Sequence, residues 1–246
     1  QKPIITSSRD VSSLNEIRNN NEIIEEIDIY NSQLEELYRV ANPSLSIDEV
    51  PDEFRSTIES VYVYYPWTRQ LLHCVSDEHL FKLRTNRNRE IITTDEQEKL
   101  ANSSIGVAGM SVGAGIATSI VYSGMSRKIK ISDFDTLDTS NLNRLRESLL
   151  NVGKQKTMLA AQHIYELDPF AQVDIFDKGL NNENLDDFFN DLDIVVDEID
   201  DFKMKVKLRQ YAKKFSIPLL MFTSLGDNIL VDVERFDLDA DLEIFN

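Results

Sequence analysis

Apolar residues follow two regimes along the chain. Through the first hundred residues they return at helical spacing, as in Ile17, Ile23, Ile24, Ile27, Leu34 and Leu37. Pro43 and Pro51 then punctuate the chain. Within this region Val61-Tyr62-Val63-Tyr64-Tyr65-Pro66-Trp67 is an apolar, aromatic run that reads as a short strand. Residues 95–101 read as one more helix, with Thr93 or Thr94 as its N-cap. From Ser104 onward, short apolar runs alternate with helical stretches. Residues 105–108 form a first strand, followed by Gly109, Gly113 and Gly115 and a helix reaching Gly124. Strands at 129–132, 173–176, 193–197 and 217–222 come next, with a sixth at 229–233. Helices at 153–167, 184–190 and 202–215 separate them, and Asp168-Pro169 stops the first of these.

Strands alternating with helices of this length imply a mainly parallel sheet with helices on both faces. The expectation is an α/β, Rossmann-like, doubly wound fold behind a helical N-terminal extension. In such folds ligands bind beyond the carboxyl ends of the strands, at the switch point.

Composition narrows the partners. The chain carries 43 acidic and 26 basic residues, a net charge of −17. A surface that acidic repels nucleic acid and anionic membrane, so neither is expected as a partner. A nucleotide is still permitted, because a few local cations and backbone N–H groups suffice to hold it. Cys74 is the sole cysteine, and the histidines are His73, His79 and His163. A disulfide within the chain and a four-cysteine zinc site are excluded, and no zinc is expected. No apolar run approaches the ~18 residues of a membrane span. Gln1-Lys2-Pro3 shows no signal-peptide pattern, which makes the cytoplasm the expected compartment.

The candidate chemistry sits at strand ends. Gly109-Met110-Ser111-Val112-Gly113-Ala114-Gly115 joins a strand to a helix. Glycines there let backbone N–H groups approach a phosphate, and the helix points its positive end at the same place. The loop departs from G-x-G-x-x-G, since Ser111 stands at the second glycine, and no G-K-[ST] comes after it. Asp133 ends the second strand, where an acidic residue can accept hydrogen bonds from ribose hydroxyls, and Asp135 lies just beyond it.

Three spaced motifs occupy the next stretch: Asp133-Phe134-Asp135, then Ser140-Asn141-Leu142-Asn143-Arg144, then Gly153-Lys154-Gln155-Lys156. Asp197-Glu198-Ile199-Asp200-Asp201 comes later, and Arg84-Thr85-Asn86-Arg87 lies upstream. In this order they resemble the ThiF/MoeB family of ATP-dependent activating enzymes, over roughly residues 84 to 235. The resemblance implies a helical extension at 1–83 and an adenylation domain at 84–246, shortened at its C-terminal end. It also implies ATP and Mg²⁺ as cofactors and AMP transfer to a carboxylate with release of pyrophosphate. By the same resemblance Arg144 and Lys156 hold the triphosphate, and Asp200 is associated with magnesium. Asp133 takes the ribose, and Asn141 bonds phosphate or orients Arg144. Arg87 is an arginine finger supplied by a partner subunit, which implies a homodimer. Acceptors of the family type are a peptide, a ubiquitin-like protein or a small carboxylic acid. The chain further resembles a bacterial subgroup in which a nitroreductase-like domain can come next.

Some features depart from the family pattern. Leu145 replaces a common glutamine, and the paired C-x-x-C zinc motifs are missing. No cysteine stands downstream to form a thioester. Two other readings remain open. A NAD-dependent oxidoreductase accounts for Gly109 to Gly115 and Asp133 but gives no role to Asn141, Arg144, Lys156 and Asp200 together. A degenerate module for dimerisation or docking is compatible with the altered loop and Leu145. Lys203, Lys205, Lys207, Lys213 and Lys214 read as a solvated helix face. Cys74 reads as a small packing residue.

Overall fold

The computed structural model describes residues 1–44 and 50–245. The chain divides into two compact units, Gln1–Thr94 and Asp95–Asn246.

The first unit is a mixed α/β layer and not a purely helical one. Its strands are β1 (Ile4–Ser7), β2 (Glu25–Asp28), β3 (Ser60–Tyr65) and β4 (Gln70–Val75), in spatial order β1-β3-β4-β2. β3 pairs antiparallel with β1 and β4, and β2 joins β4 in parallel. The expected helices are present as α1 (Val11–Asn20) and α2 (Tyr30–Ala41), followed by α3 (Asp52–Thr57) and α4 (Asp77–Arg84). Leu14 and Ile17 of α1 pack on Tyr64 and Leu71, and Leu34 and Leu37 of α2 pack with Ile58 and Val75. The helical reading of 23–27 fails because pairing with β4 decides it. Glu25-Glu26-Ile27-Asp28 has little strand propensity of its own, yet it registers Ile27 against Leu72. On the buried strand β4, Cys74 lies in the core, and burial pushes its thiol up to about 12.

The second unit is the doubly wound domain. After α5 (Thr94–Asn102) come β5 (Ser104–Ala108), α6 (Gly113–Tyr122), β6 (Lys128–Ser132), α7 (Lys156–Leu167) and β7 (Gln172–Phe176). Then come α8 (Leu185–Phe189), β8 (Ile194–Asp197), α9 (Phe202–Phe215), β9 (Leu219–Leu225) and β10 (Asn228–Glu234). The sheet order is β10-β9-β8-β5-β6-β7, parallel throughout except for β10. The runs around Val107, Ile129, Ile131, Val173, Val195 and Leu219 are buried, as expected for a parallel sheet covered on both faces. Chain order reverses between β5 and β8, so the switch point lies where the carboxyl ends of these two strands meet.

Candidate nucleotide site

The turn after β5 is built around Gly109. Its φ is +93°, and a Cβ placed there would stand 2.4 Å from the carbonyl oxygen of Glu198. Only glycine lets the β5 turn lie against the β8 turn so closely. The amide of Glu198 donates to the carbonyl of Ala108 (2.8 Å), and the amide of Gly109 donates to Ser132 (2.7 Å). The turn is therefore tied to the strand on each side. Asp133 completes the tie, accepting from the Met110 amide (2.6 Å) and from the Asp135 amide (2.8 Å). A carboxylate has about four acceptor sites, so Asp133 retains capacity toward a ligand.

Beyond β6 the chain forms a scaffold for cations. Thr136 bridges Gln155, the Leu137 amide donates to the Lys154 carbonyl, and the Gly153 amide donates to the Leu137 carbonyl. This pairing explains why α7 begins at Lys156 and not at Gly153. Lys156 is buried at 7% exposure, and its Nζ meets Asp135 Oδ2 at 2.8 Å. That carboxylate offsets the cost of a cation in the first turn of a helix. Asp138 and Asn141 form a reciprocal cap on a short 3-10 helix, Thr139–Asn143. Asn141 is buried, its Oδ1 accepts from the Asp138 amide (3.0 Å), and its carbonyl accepts the amides of Arg144 and Leu145. It braces the turn from which Arg144 projects. Leu145 turns inward and packs with Leu137 and Leu159, so the position of the common glutamine is taken by core packing.

Arg144 behaves differently from Lys156. It is exposed, and among the described residues it forms no ion pair. Its contacts are Ser111 Oγ (3.4 Å), the Ser140 carbonyl (3.4 Å) and Asn143 Oδ1 (3.0 Å). The Ser111 contact places it over the glycine turn, at the foot of α6.

These groups surround one cleft of about 300 Å³. Gly109, Ser111, Asp133, Asp135, Asn141, Arg144, Lys156 and Asp200, each expected from the sequence, line it together. Met110 is fully buried behind the turn, Gly113 is buried as the first residue of α6, and Val112 is exposed beside it. Arg87 lies in a 3-10 helix, Asn86–Glu90, of the first unit. Asp138, Glu198 and Asp201 also line the cleft. The sequence assigns them no role: Glu198 and Asp201 reach the cleft through the meeting of β5 and β8, and Asp138 through the turn it caps after β6. Burial pushes the Glu198 carboxyl up to about 7, and Asp197 and Asp200 add to the rise. The Phe222 amide, 3.0 Å from Oε1, and Lys205 oppose it. Asp200 is exposed, and no group of three His, Cys, Asp or Glu side chains among the described residues is placed to hold a metal alone.

Lys203 and Lys214 of α9 are exposed, as expected of a solvated face, but Lys205, Lys207 and Lys213 are partly buried. Lys205 pairs with buried Asp197 (3.4 Å), Lys213 donates to the Leu242 carbonyl (3.0 Å), and Lys214 pairs with Asp186. Lys205 and Lys213 thus tie α9 to β8 and to the C-terminal segment.

A ThiF family model matches residues 84–227, more than half of the chain. The chain belongs to the ThiF family. An uncharacterized protein, MT1398, of Mycobacterium tuberculosis (strain CDC 1551 / Oshkosh) is 40% identical over 185 residues, covering 75% of this chain and 26% of that protein. The tRNA threonylcarbamoyladenosine dehydratase of Bacillus subtilis (strain 168) is 32% identical, over 62% of this chain and 60% of its own length. A sulfur carrier protein adenylyltransferase of Thermus thermophilus is 27% identical, over 50% of this chain and 46% of its own. The chain thus spans less than two thirds of each of these relatives. Among solved structures, E. coli tRNA N6-threonylcarbamoyladenosine dehydratase in complex with ATP superposes with a TM-score of 0.56 at 25% identity, covering 62% of this chain and 63% of that one. The ThiF-family relatives therefore include an ATP-bound protein and an adenylyltransferase. No helix among the described residues is long and apolar enough to cross a membrane.

Proposed function

We propose that this chain binds ATP in the cleft and transfers AMP to a carboxylate. The observation that carries this reading is Arg144. It is a cation without an ion pair among the described residues, poised over a glycine turn in a cleft whose other charged lining is mostly acidic. Its present partners are neutral oxygens, so its charge is not matched by a carboxylate, and a planar guanidinium in that state suits a phosphate ligand.

In the proposed reaction an oxygen of the acceptor carboxylate bonds to the α-phosphorus. The bond from that phosphorus to the bridging oxygen breaks, and its electron pair leaves with pyrophosphate. Two anions must approach each other, so the chain's contribution is positioning and charge. Arg144 stabilises the charge that develops on the phosphates. Lys156, held by Asp135, supplies a second, fixed cation, and Asp133 takes the ribose. The amides that open α6 face the phosphates.

Magnesium fits this donor set, because it keeps waters and takes phosphate oxygens as ligands, needing one or two carboxylates from the protein. Asp200 would be the carboxylate that holds it, and the ion would supply neutralisation of phosphate charge. Arg87 of a second copy would complete the charge in a homodimer.

The acceptor we favour is a peptide or protein C-terminus or a small acid. The net charge of −17 disfavours tRNA despite the substrate named for one relative. The test is acceptor-dependent ATP–pyrophosphate exchange with Mg²⁺, using pools of carboxylates, with Arg144→Ala and Lys156→Ala alongside. Exchange in the wild type and its loss in both folded variants supports the reading. Full exchange in either variant overturns its assigned role, and wild type that binds no ATP overturns the reading itself.

A further inference from the structure

Behind the cleft lies a buried cluster of charges that the proposed reaction does not use. Asp197, the last residue of β8, and Arg209 of α9 are both fully buried, and their side chains meet at 2.7 Å. The Arg209 Nε lies 2.6 Å from Oε2 of Glu234, the last residue of β10, which is 4% exposed. Lys205 adds a second cation 3.4 Å from Asp197. The Phe245 ring covers the Arg209 guanidinium at 3.9 Å, and the Phe245 amide donates to the other Glu234 oxygen (3.0 Å). Phe245 also stacks on Phe202, the first residue of α9.

The cluster adjoins the cleft through Asp197. Its second oxygen accepts the Ile199 amide at 3.1 Å. The next four residues, Glu198, Ile199, Asp200 and Asp201, all line the cleft. We infer that Arg209 is a positioning residue for the cleft, fixing the loop at 198–201 through Asp197, and that Glu234 sets the orientation of Arg209. This deepens the adenylation reading and rests on it for its kinetic arm.

Neutrality requires a cation here but not an arginine, because a lysine at position 209 together with Lys205 would also balance Asp197 and Glu234. What arginine adds is reach in two directions from one planar group, a hydrogen bond from Nη1 to Asp197 on β8 and a close ion pair, not aligned as a hydrogen bond, from Nε to Glu234 on β10, which a lysine point charge cannot reproduce. A buried ion cluster is a weak source of stability compared with apolar packing of the same volume. Its presence beside the cleft is therefore better accounted for by the geometry it imposes. β8 and β10 are not neighbours in the sheet, as β9 lies between them. Arg209 is thus a physical connection from the edge of the sheet to the loop that carries Asp200.

The experiment uses Arg209→Lys, Glu234→Gln and the double variant. Each is measured for kcat and KM for ATP in acceptor-dependent pyrophosphate exchange, and for hydrogen exchange at the Ile199 amide. Positioning predicts that Arg209→Lys lowers kcat about tenfold or more while KM for ATP changes much less. Glu234→Gln should lower kcat as well, and the double variant should be no worse than Arg209→Lys, since Glu234 acts through Arg209. Lower melting temperatures with wild-type kcat and KM in both single variants would reduce the cluster to a structural tie and overturn the inference. Multiplicative losses in the double variant would remove Glu234 from the chain of action. If the wild type shows no exchange activity, the adenylation reading fails, and hydrogen exchange then decides this inference separately. An acceleration over wild type at Ile199 that exceeds any acceleration at the β5 amides in Arg209→Lys upholds it, and an unchanged rate at Ile199 sinks it.

Discussion

At Gly109 two constraints coincide, a φ of +93° and a neighbouring backbone carbonyl 2.4 Å from where a Cβ would stand. Neither can be relieved by a rotamer change. Gly109→Ala should therefore cost about 1–3 kcal/mol from backbone strain alone, with more from separating the β5 and β8 turns, and urea unfolding would measure it. Glu198 supports a prediction in pH. Burial raises its carboxyl to about 7, whereas in the unfolded chain it titrates at roughly 4.3. Between those values the folded protein holds a proton that the unfolded chain has released, so stability falls as pH rises through this window and levels off above it. Glu198→Gln keeps an acceptor for the Phe222 amide but cannot ionise. Its melting temperature relative to wild type should rise from about pH 4.5 to 7 and then stay constant. A difference independent of pH would mean that Glu198 is solvated in the folded protein.

At the scale of elements, the parallel strands were legible because each is a short apolar run closed by turn residues, and burial on both faces demands that composition. β2 was not legible. Its Glu25-Glu26-Ile27-Asp28 gains strand geometry only from β4, more than forty residues away. The boundary of α7 was hidden for a similar reason, since Gly153 and Lys154 are drawn into pairing with Leu137. In the site, Asp133, Arg144 and Lys156 could be singled out because they sit in local motifs. Glu198 and Arg209 could not, as their partners Phe222 and Glu234 lie 24 and 25 residues along the chain. Cys74 of β4 offers a direct check on the first unit's sheet. With the thiol buried and its pKa pushed up to about 12, native protein should resist a thiol reagent at pH 8. Reaction should appear only as denaturant opens the unit, because the thiolate is the reactive form. Rapid labelling of native protein would contradict the packing of β3 against β4.

At the scale of the molecule, the net charge of −17 acts against the ligand that the cleft is proposed to hold. Long-range repulsion and short-range attraction respond differently to salt. The Debye length shrinks from about 30 Å at 0.01 M to about 8 Å at 0.15 M ionic strength. An approaching nucleotide feels the whole acidic surface across the longer distance, but the contact with Arg144 spans only a few ångströms and is screened less. The association rate for Mg-ATP should therefore rise as salt increases over this range, the reverse of electrostatic steering. The dissociation rate should change little. Stopped-flow binding of a fluorescent ATP analogue, with and without Mg²⁺, separates the two rates. Free ATP, carrying more negative charge, should show the steeper rise. A rate that falls with salt would mean that a local positive field dominates the approach, and that the cations beside the cleft reach further than six lining carboxylates against Arg144 and Lys156 allow.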